Sequence, residues 1–565
     1  MNVINFKGLS NPSLIVLTVS YFGILEYGFN TNIKIKSIFY ILFFVLIQKL
    51  INSNPNDFEN NIKFNKWVNY LGLFFLTIIF QNALLNYEII SIDIPSYLVA
   101  SNAISFETLP YESQWESKGP LFIYLYKLVI ILSNSNYVHF RLLNDVLLFL
   151  IAILIYKIIY TKSDSLLSSM NGSILFLIIT SYEWYVSEYS EIYCLLFILW
   201  QYFYISKYGL NSKTIISSSL LISFSSLVNQ GTAIFMVALG ILIITKYKKN
   251  SFIKLFYSGI VFLIPHMLFY LLYFLNGVEI LYLTNYIYIP FSYVDSGNFK
   301  LYELVVWLKR YFLYLENLYY LIISLPLFIF FNNLNKKKIY SESFFNDSIY
   351  LIVSFAFYFI AGHNYQHHLF YSIVFVAILT SHIVKKSNIY LFTLLIYICT
   401  FQLFLNLFPN SFNNLKSLED TYENYPLYSL SQDLIEYFPD NNYDILAVDK
   451  VLTLFYLDKE NLSYIVHPFN HYESYIVESL INTKKLKTNG VSHLSFSIEQ
   501  EPDIVICLPT RIVSGNPTSS DIFNCEVTDY KKNYTKLDTD SFNNSENKEY
   551  YLDPYAKMRV YIKDY

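Results

Sequence analysis

The sequence predicts a polytopic α-helical membrane protein with about 13 transmembrane helices and a small α/β domain at its C-terminal end. Three observations carry this. Of 565 residues, 54% are hydrophobic and only 15% charged, and the mean hydropathy of +0.37 is too apolar for a soluble chain of this length. Apolar runs near the length needed to cross hydrocarbon recur up to about residue 408. Beyond residue 409 Asn, Asp, Ser and Lys rise and no further run of that length occurs.

The expected spans lie at 12–28, 36–51, 67–86, 140–160, 170–184, 190–206, 214–228, 232–246, 253–275, 317–333, 348–362, 367–384 and 389–408. Lysines orient them. Lys157 and Lys162, Lys207 and Lys213, Lys246, Lys248 and Lys249, Lys336 to Lys338, and Lys385 with Lys386 each follow a span, and the positive-inside rule puts all five groups on the cytoplasmic face. Residues 184–190, 229–231, 276–316, 362–367 and all after 409 then lie outside. The run "GPLFIYLYKLVIILS" (119–133) breaks this alternation if it crosses, so it is expected as an interfacial helix within one long external loop, 87–139.

The chain divides into an N-terminal hairpin and linker (1–66), a transmembrane domain (67–408) and an extracytoplasmic domain (409–565). In the last, strands are expected at 443–448, 462–466, 503–508 and 558–562, and helices at 426–438 and 471–486. Cys507 and Cys525 fall there, either bridged in an oxidising compartment or as two separate thiols. Cys194 and Cys399 complete a set without metal-like spacing. A net charge of −4 argues against a nucleic-acid partner.

The external loop concentrates ionisable groups. "SIDIPSYLVA" (91–100) puts Asp93 just past a span, as a helix cap or a functional carboxylate. "LPYESQW" (109–115) groups Tyr111, Glu112 and Trp115, and "ESKGPL" (116–121) sets Lys118 before a Gly-Pro turn at headgroup height. "SEYSEIYCLLF" (187–197) brings Glu188 and Glu191 to the same side. Carboxylates at a membrane boundary are functional candidates. Glu107, Glu112 and Glu116 also suit solvated surface, and Glu112 and Glu116 are spaced to line one helix face.

The order Asp-x-x-x-Tyr, Leu-Pro-Tyr, Lys-Gly-Pro-Leu resembles the first external loop of GT-C glycosyltransferases, of the protein-mannosyltransferase and lipid A aminoarabinose-transferase type. "SEIYCLLFILWQYF" resembles that family's second acidic motif. "VNQGTAIF" (228–235) is similar to its Lys/Arg-Gln element, with Asn229 in place of the base. "AGHNYQHHLFYSIVFVAIL" (361–379) resembles its Gly-Arg-x-Tyr-x-His-Tyr segment, with His363 where Arg is common and His368 where Tyr is common. The likeness covers about residues 67–384.

The resemblance implies inverting transfer of a sugar from a polyprenyl-phosphate donor to a glycan, lipid or protein acceptor on the non-cytoplasmic face. Asp93 would be the general base, its pKa raised by a low-dielectric site, and Glu191 would orient a substrate. Lys118, Tyr97, Tyr111, Glu112, Trp115, Glu188, Gln230, His363, Tyr365, His367 and His368 are the substrate-binding candidates, with Trp115 as a sugar platform. Gln230 also suits a helix cap. No cofactor is required, and a divalent metal stays open. A bacterial inner membrane is the expected location. A flippase or transporter of lipid-linked sugars, an O-antigen-type polymerase or ligase, and a catalytically silent assembly factor are the competing readings.

Overall fold

The computed structural model describes residues 66–181, 187–296, 342–360, 366–382, 386–490, 492–508, 525, 533–537 and 558–564. Each expected span within these residues coincides with a helix over most of its described length, the first stopping at Asn82. In chain order they are α1 (Lys66–Asn82), α4 (Tyr137–Ser163), α5 (Leu166–Thr180), α6 (Ser190–Tyr208), α7 (Ser212–Val228), α8 (Phe235–Tyr247), α9 (Ser251–Leu275), α10 (Glu342–Ile360), α11 (Phe370–Ile378) and α12 (Lys386–Lys416). Between α1 and α4 lie two loop helices, α2 (Asp93–Asn102) and α3 (Pro120–Leu132). The expected spans at 12–28, 36–51 and 317–333 lie outside the described residues. By length and composition Tyr137–Ser163, Gln230–Leu275 and Phe392–Lys416 are apolar enough to cross a membrane. The chain is a polytopic helical membrane protein.

Local chemistry sets the helix ends. Asn136 and Ser165 accept backbone N–H bonds at the starts of α4 and α5, and Asn211 and Thr214 form a capping box on α7. Lys248, at φ 47°, turns the chain between α8 and α9. The serine-rich α7 packs closely on α6 and α9: Ser219 Oγ lies 2.7 Å from Ser258 Oγ, and Ser223 Oγ donates to the Phe262 carbonyl at 2.7 Å. Small hydroxyl side chains let helix backbones approach where lipid offers no hydrophobic drive. On its other side α9 exposes Phe252, Phe256, Leu263, Met267, Leu268 and Leu275. The cationic helix ends meet the start of α10: Lys162 pairs with Asp347, and Lys246 lies 3.8 Å from Glu342.

The expected boundary at 408/409 falls inside α12, which runs unbroken to Lys416 and is about 46 Å long. The C-terminal region carries a four-stranded sheet in the order β1 (Ile445–Ala447), β2 (Ile504–Cys507), β4 (Arg559–Lys563), β3 (Tyr534–Lys536). β1 and β2 are parallel, with Ile445 opposite Ile504, and the other pairings are antiparallel. Helices α13 (Pro426–Tyr437) and α14 (Ser474–Asn482) match the two helical expectations. The expected strand at 462–466 does not join this sheet. Ile465 instead forms a lone bridge with Trp115 of the first loop. Cys507 and Cys525 are bonded, with Cα atoms 5.9 Å apart.

This region clamps the first loop. Glu88 caps the start of α13 through Leu427 N at 2.9 Å and Tyr428 N at 3.0 Å. Gln114 and Asn461 exchange hydrogen bonds of 3.0 and 3.2 Å. Lys485 Nζ donates to the Glu112 carbonyl at 2.9 Å.

Candidate active site

The site is assembled from α2, the 111–119 turn, the start of α6, the Asn229–Gln230 junction, the turn Gln366–Leu369 and the C-terminal domain. Asp93 is the first residue of α2, whose N-cap position is Ile92, without a side-chain cap bond. Asp93 therefore does not cap the helix. Its Oδ1 accepts 2.8 Å from His467 Nε2. His467 Nδ1 accepts from Phe469 N at 3.2 Å, so the hydrogen sits on Nε2, as this network assigns it.

Burial acts to raise the Asp93 pKa. The His467 hydrogen bond opposes it, joined by the positive potential of His467, His367 and Lys118. The net result holds the carboxyl well below the usual carboxylate range. The expected upward shift is corrected: specific partners outweigh desolvation.

Lys118 lies with its ammonium 5.6 Å from the Tyr97 ring centroid. Tyr97 is buried in α2 and packs edge-on against Phe122, centroids 5.0 Å apart. The Tyr111 hydroxyl donates to the Lys118 carbonyl at 2.5 Å. Gly119 N donates to the Val228 carbonyl at 2.9 Å, and a Cβ at Gly119 would stand 2.1 Å from the Leu227 carbonyl oxygen. Only glycine lets the loop approach α7 so closely. Gln230 Nε2 donates to the Ser117 carbonyl at 3.2 Å and the Asn285 carbonyl at 3.3 Å. The cap at this junction is Asn229, not Gln230.

Glu191 is fully buried at the start of α6. Ser190 Oγ donates to its Oε2 at 3.1 Å, and Asn229 Nδ2 approaches its Oε1 at 3.4 Å. His367 and His368 are also buried, and donor atoms of Glu191, His367 and His368 lie within 4.8 Å of one another. The fields of Asp93 and Lys118 reach both histidines. Glu191, His367 and His368 thus form one cluster, and the charges of Asp93 and Lys118 act on it.

The remaining candidates stand apart or differ. Trp115 is fully buried, its Nε1 bonded to Asn285 Oδ1 and its backbone N to the Tyr464 carbonyl at 2.8 Å. With no open ring face, it packs the loop against the C-terminal domain and does not serve as a sugar platform. Glu112 Oε2 accepts from Leu109 N at 2.6 Å within a turn. No helix covers Glu112 and Glu116, so they do not line a helix face. Glu188 pairs with Arg141 at 2.8 Å in a separate buried cluster. His363 and Tyr365 lie outside the described residues.

Sequence reasoning missed three groups. Glu116, expected on the surface, is 1% exposed. Its Oε1 accepts from Ser117 N and Oγ, and Oε2 has no hydrogen-bond partner among the described residues. Burial pushes its pKa up. Arg141 carried one signal, a cation at the start of an expected span. His467 is 374 residues from Asp93 and carried none.

No protein-family model matches the chain, and no curated protein matches it. Solved structures do. ArnT from Cupriavidus metallidurans bound to undecaprenyl phosphate aligns with a TM-score of 0.51 at 10% identity, over 78% of this chain and 93% of that one. The same protein in the apo state aligns at 0.49 and 9%, with equal coverage. At such identity the likeness to the lipid-bound structure is one of fold alone, and it extends over 78% of this chain.

Proposed function

We propose that the chain is an inverting membrane glycosyltransferase that moves a sugar from a polyprenyl-phosphate donor to an acceptor hydroxyl at the non-cytoplasmic rim of the bilayer. The observation that carries this is the carboxylate of Asp93, held by His467 and acted on by the ammonium of Lys118, with Glu191 buried at the start of α6. The undecaprenyl phosphate of the ArnT structure supports a lipid-phosphate donor.

In the step, the acceptor oxygen bonds to the anomeric carbon as the carbon–oxygen bond to phosphate breaks. The electron pair leaves on the phosphate, and the hydroxyl proton passes to Asp93. His467 holds Oδ1, leaving Oδ2 for the acceptor. Its hydrogen bond keeps Asp93 ionised, and so ready to take a proton, at neutral pH. Lys118 meets the phosphate as a point charge. Glu191 orients the donor sugar. Tyr111, Tyr97 and Gln230 position Lys118. The Cys507–Cys525 bond supports a C-terminal domain in an oxidising compartment outside a bacterial inner membrane.

The test is transfer by the full chain in proteoliposomes supplied with a panel of polyprenyl-phosphate sugars and acceptors. Asp93→Asn is expected to lose about 10²–10⁴-fold in rate while still folding. A folded Asp93→Asn protein with full activity refutes the assignment. Movement of the donor across the bilayer without transfer favours the transporter reading instead.

A further inference from the structure

Glu191, His367 and His368 come from two elements that meet only in the folded chain. Glu191 opens α6, and the histidines occupy the turn Gln366–Leu369 that leads into α11. One carboxylate oxygen and one nitrogen from each ring lie within 4.8 Å of one another, and all three residues are buried. We infer that these side chains form a binding site for a single divalent transition-metal ion, with zinc the best match.

The donor set selects the class of ion. Two imidazoles and one carboxylate suit zinc and its neighbours, whereas magnesium and calcium prefer oxygen ligands throughout. Ligand atoms on a tetrahedral zinc sit roughly 3.4 Å apart, so a contraction of at most about 1.4 Å closes the site. Three protein ligands leave a fourth position for water or another oxygen ligand.

The surroundings hold the ligands in place. The Tyr189 ring stacks on His367 with centroids 5.0 Å apart and planes 14° from parallel. Phe357 meets His368 edge-on at 5.5 Å. The two histidine rings stand 4.5 Å apart at 79°, edge to face and not stacked. Ser190 and Asn229 approach the two oxygens of Glu191. Asn229 stands where the resembling family carries a base, so this chain sets an amide, not a fixed cation, beside the carboxylate. An adjacent permanent charge would compete with a metal ion, and an amide does not.

Metal binding by these residues does not require the transfer reading. An ion there would add positive charge to a cluster on which the Lys118 ammonium already acts.

The test uses the tag-free full chain in lipid nanodiscs, stripped with a chelator and re-equilibrated with zinc. Elemental analysis is expected to find one zinc per chain. Competition against a chromophoric chelator should show an affinity at least ~100-fold weaker in Glu191→Gln and in His367→Ala/His368→Ala. Cobalt in place of zinc should give visible d–d absorption in the wild type that both variants lose. The inference is overturned if stripped wild type binds zinc no more tightly than the variants, or if the cobalt spectrum persists in them. Glu191→Gln keeps the shape of the side chain, so it carries the test if the double variant does not fold. Because the readouts are metal content and spectrum, failure here is distinct from failure of the transferase assignment.

Discussion

Glu188 and Glu191 are three residues apart, yet they belong to two clusters of opposite character. Around Glu188 every carboxylate oxygen is matched. Arg141 Nε holds Glu188 Oε1 at 2.8 Å, and Ser187 Oγ bridges Glu188 Oε2 at 3.3 Å and Asp145 Oδ1 at 2.8 Å. Asn82 donates to Asp145 Oδ2 at 3.0 Å, and the Arg141 guanidinium reaches the Leu84 and Tyr87 carbonyls. Next to Ser117, one oxygen of buried Glu116 has no hydrogen-bond partner among the described residues, and Lys118 rests over a tyrosine ring and not on a carboxylate. A cluster with every carboxylate oxygen paired holds the start of the loop to α1 and α4. An unsaturated one leaves capacity for a ligand.

The strongest way to break this contrast is Arg141→Leu. Leaving Glu188 buried without its partner should cost about 3–5 kcal/mol, read as a lower unfolding midpoint. An unchanged midpoint would show that the cluster does not hold the loop. Gly119→Ala comes next. The new Cβ meets the Leu227 carbonyl, and a strained approach of this kind costs about 1–3 kcal/mol. It should also slow transfer, since Lys118 moves with the turn. If both properties stay at wild-type values, the close contact with α7 is dispensable.

His467→Ala sharpens the comparison through pH. The wild-type Asp93 pKa is depressed, so its ionised form, and the stability it contributes, are present above the unfolded value of about 3.9. Both are lost as pH falls through the lower folded value. Without His467, burial is less opposed and the acid limb of the rate profile should move upward. A limb that stays in place would remove His467 as the positioning residue. The smallest effect is expected for Glu116→Gln, which keeps the Ser117 contacts through its amide oxygen. Its midpoint should shift by less than about 1 kcal/mol equivalent, because no protein donor is lost from Oε2. A large drop would mean that Glu116 belongs with the saturated cluster.

Much of the frame was legible in the chain. Long apolar runs ended by lysines became helices wherever the structure describes them, from α1 to α12, because a membrane helix satisfies its own backbone and so writes its length locally. The short run at 119–133 likewise became α3. Trp115, Glu116 and the 462–466 run were misjudged for a common reason: each is explained by packing between the first loop and the C-terminal domain. An aromatic beside carboxylates reads the same in sequence whether its face is open or covered.

By itself, then, the order of residues determined the helical membrane class and the α/β character of the tail, and it set Asp93, Lys118 and Glu191 as the candidates that the proposal uses. Tertiary structure alone decided that His467 completes Asp93, that Glu188 is taken up by Arg141, and that two histidines reach Glu191. Hydrophobic periodicity is set by neighbours a few residues apart, while charge pairing depends on distances in space between segments that the chain keeps hundreds of residues apart.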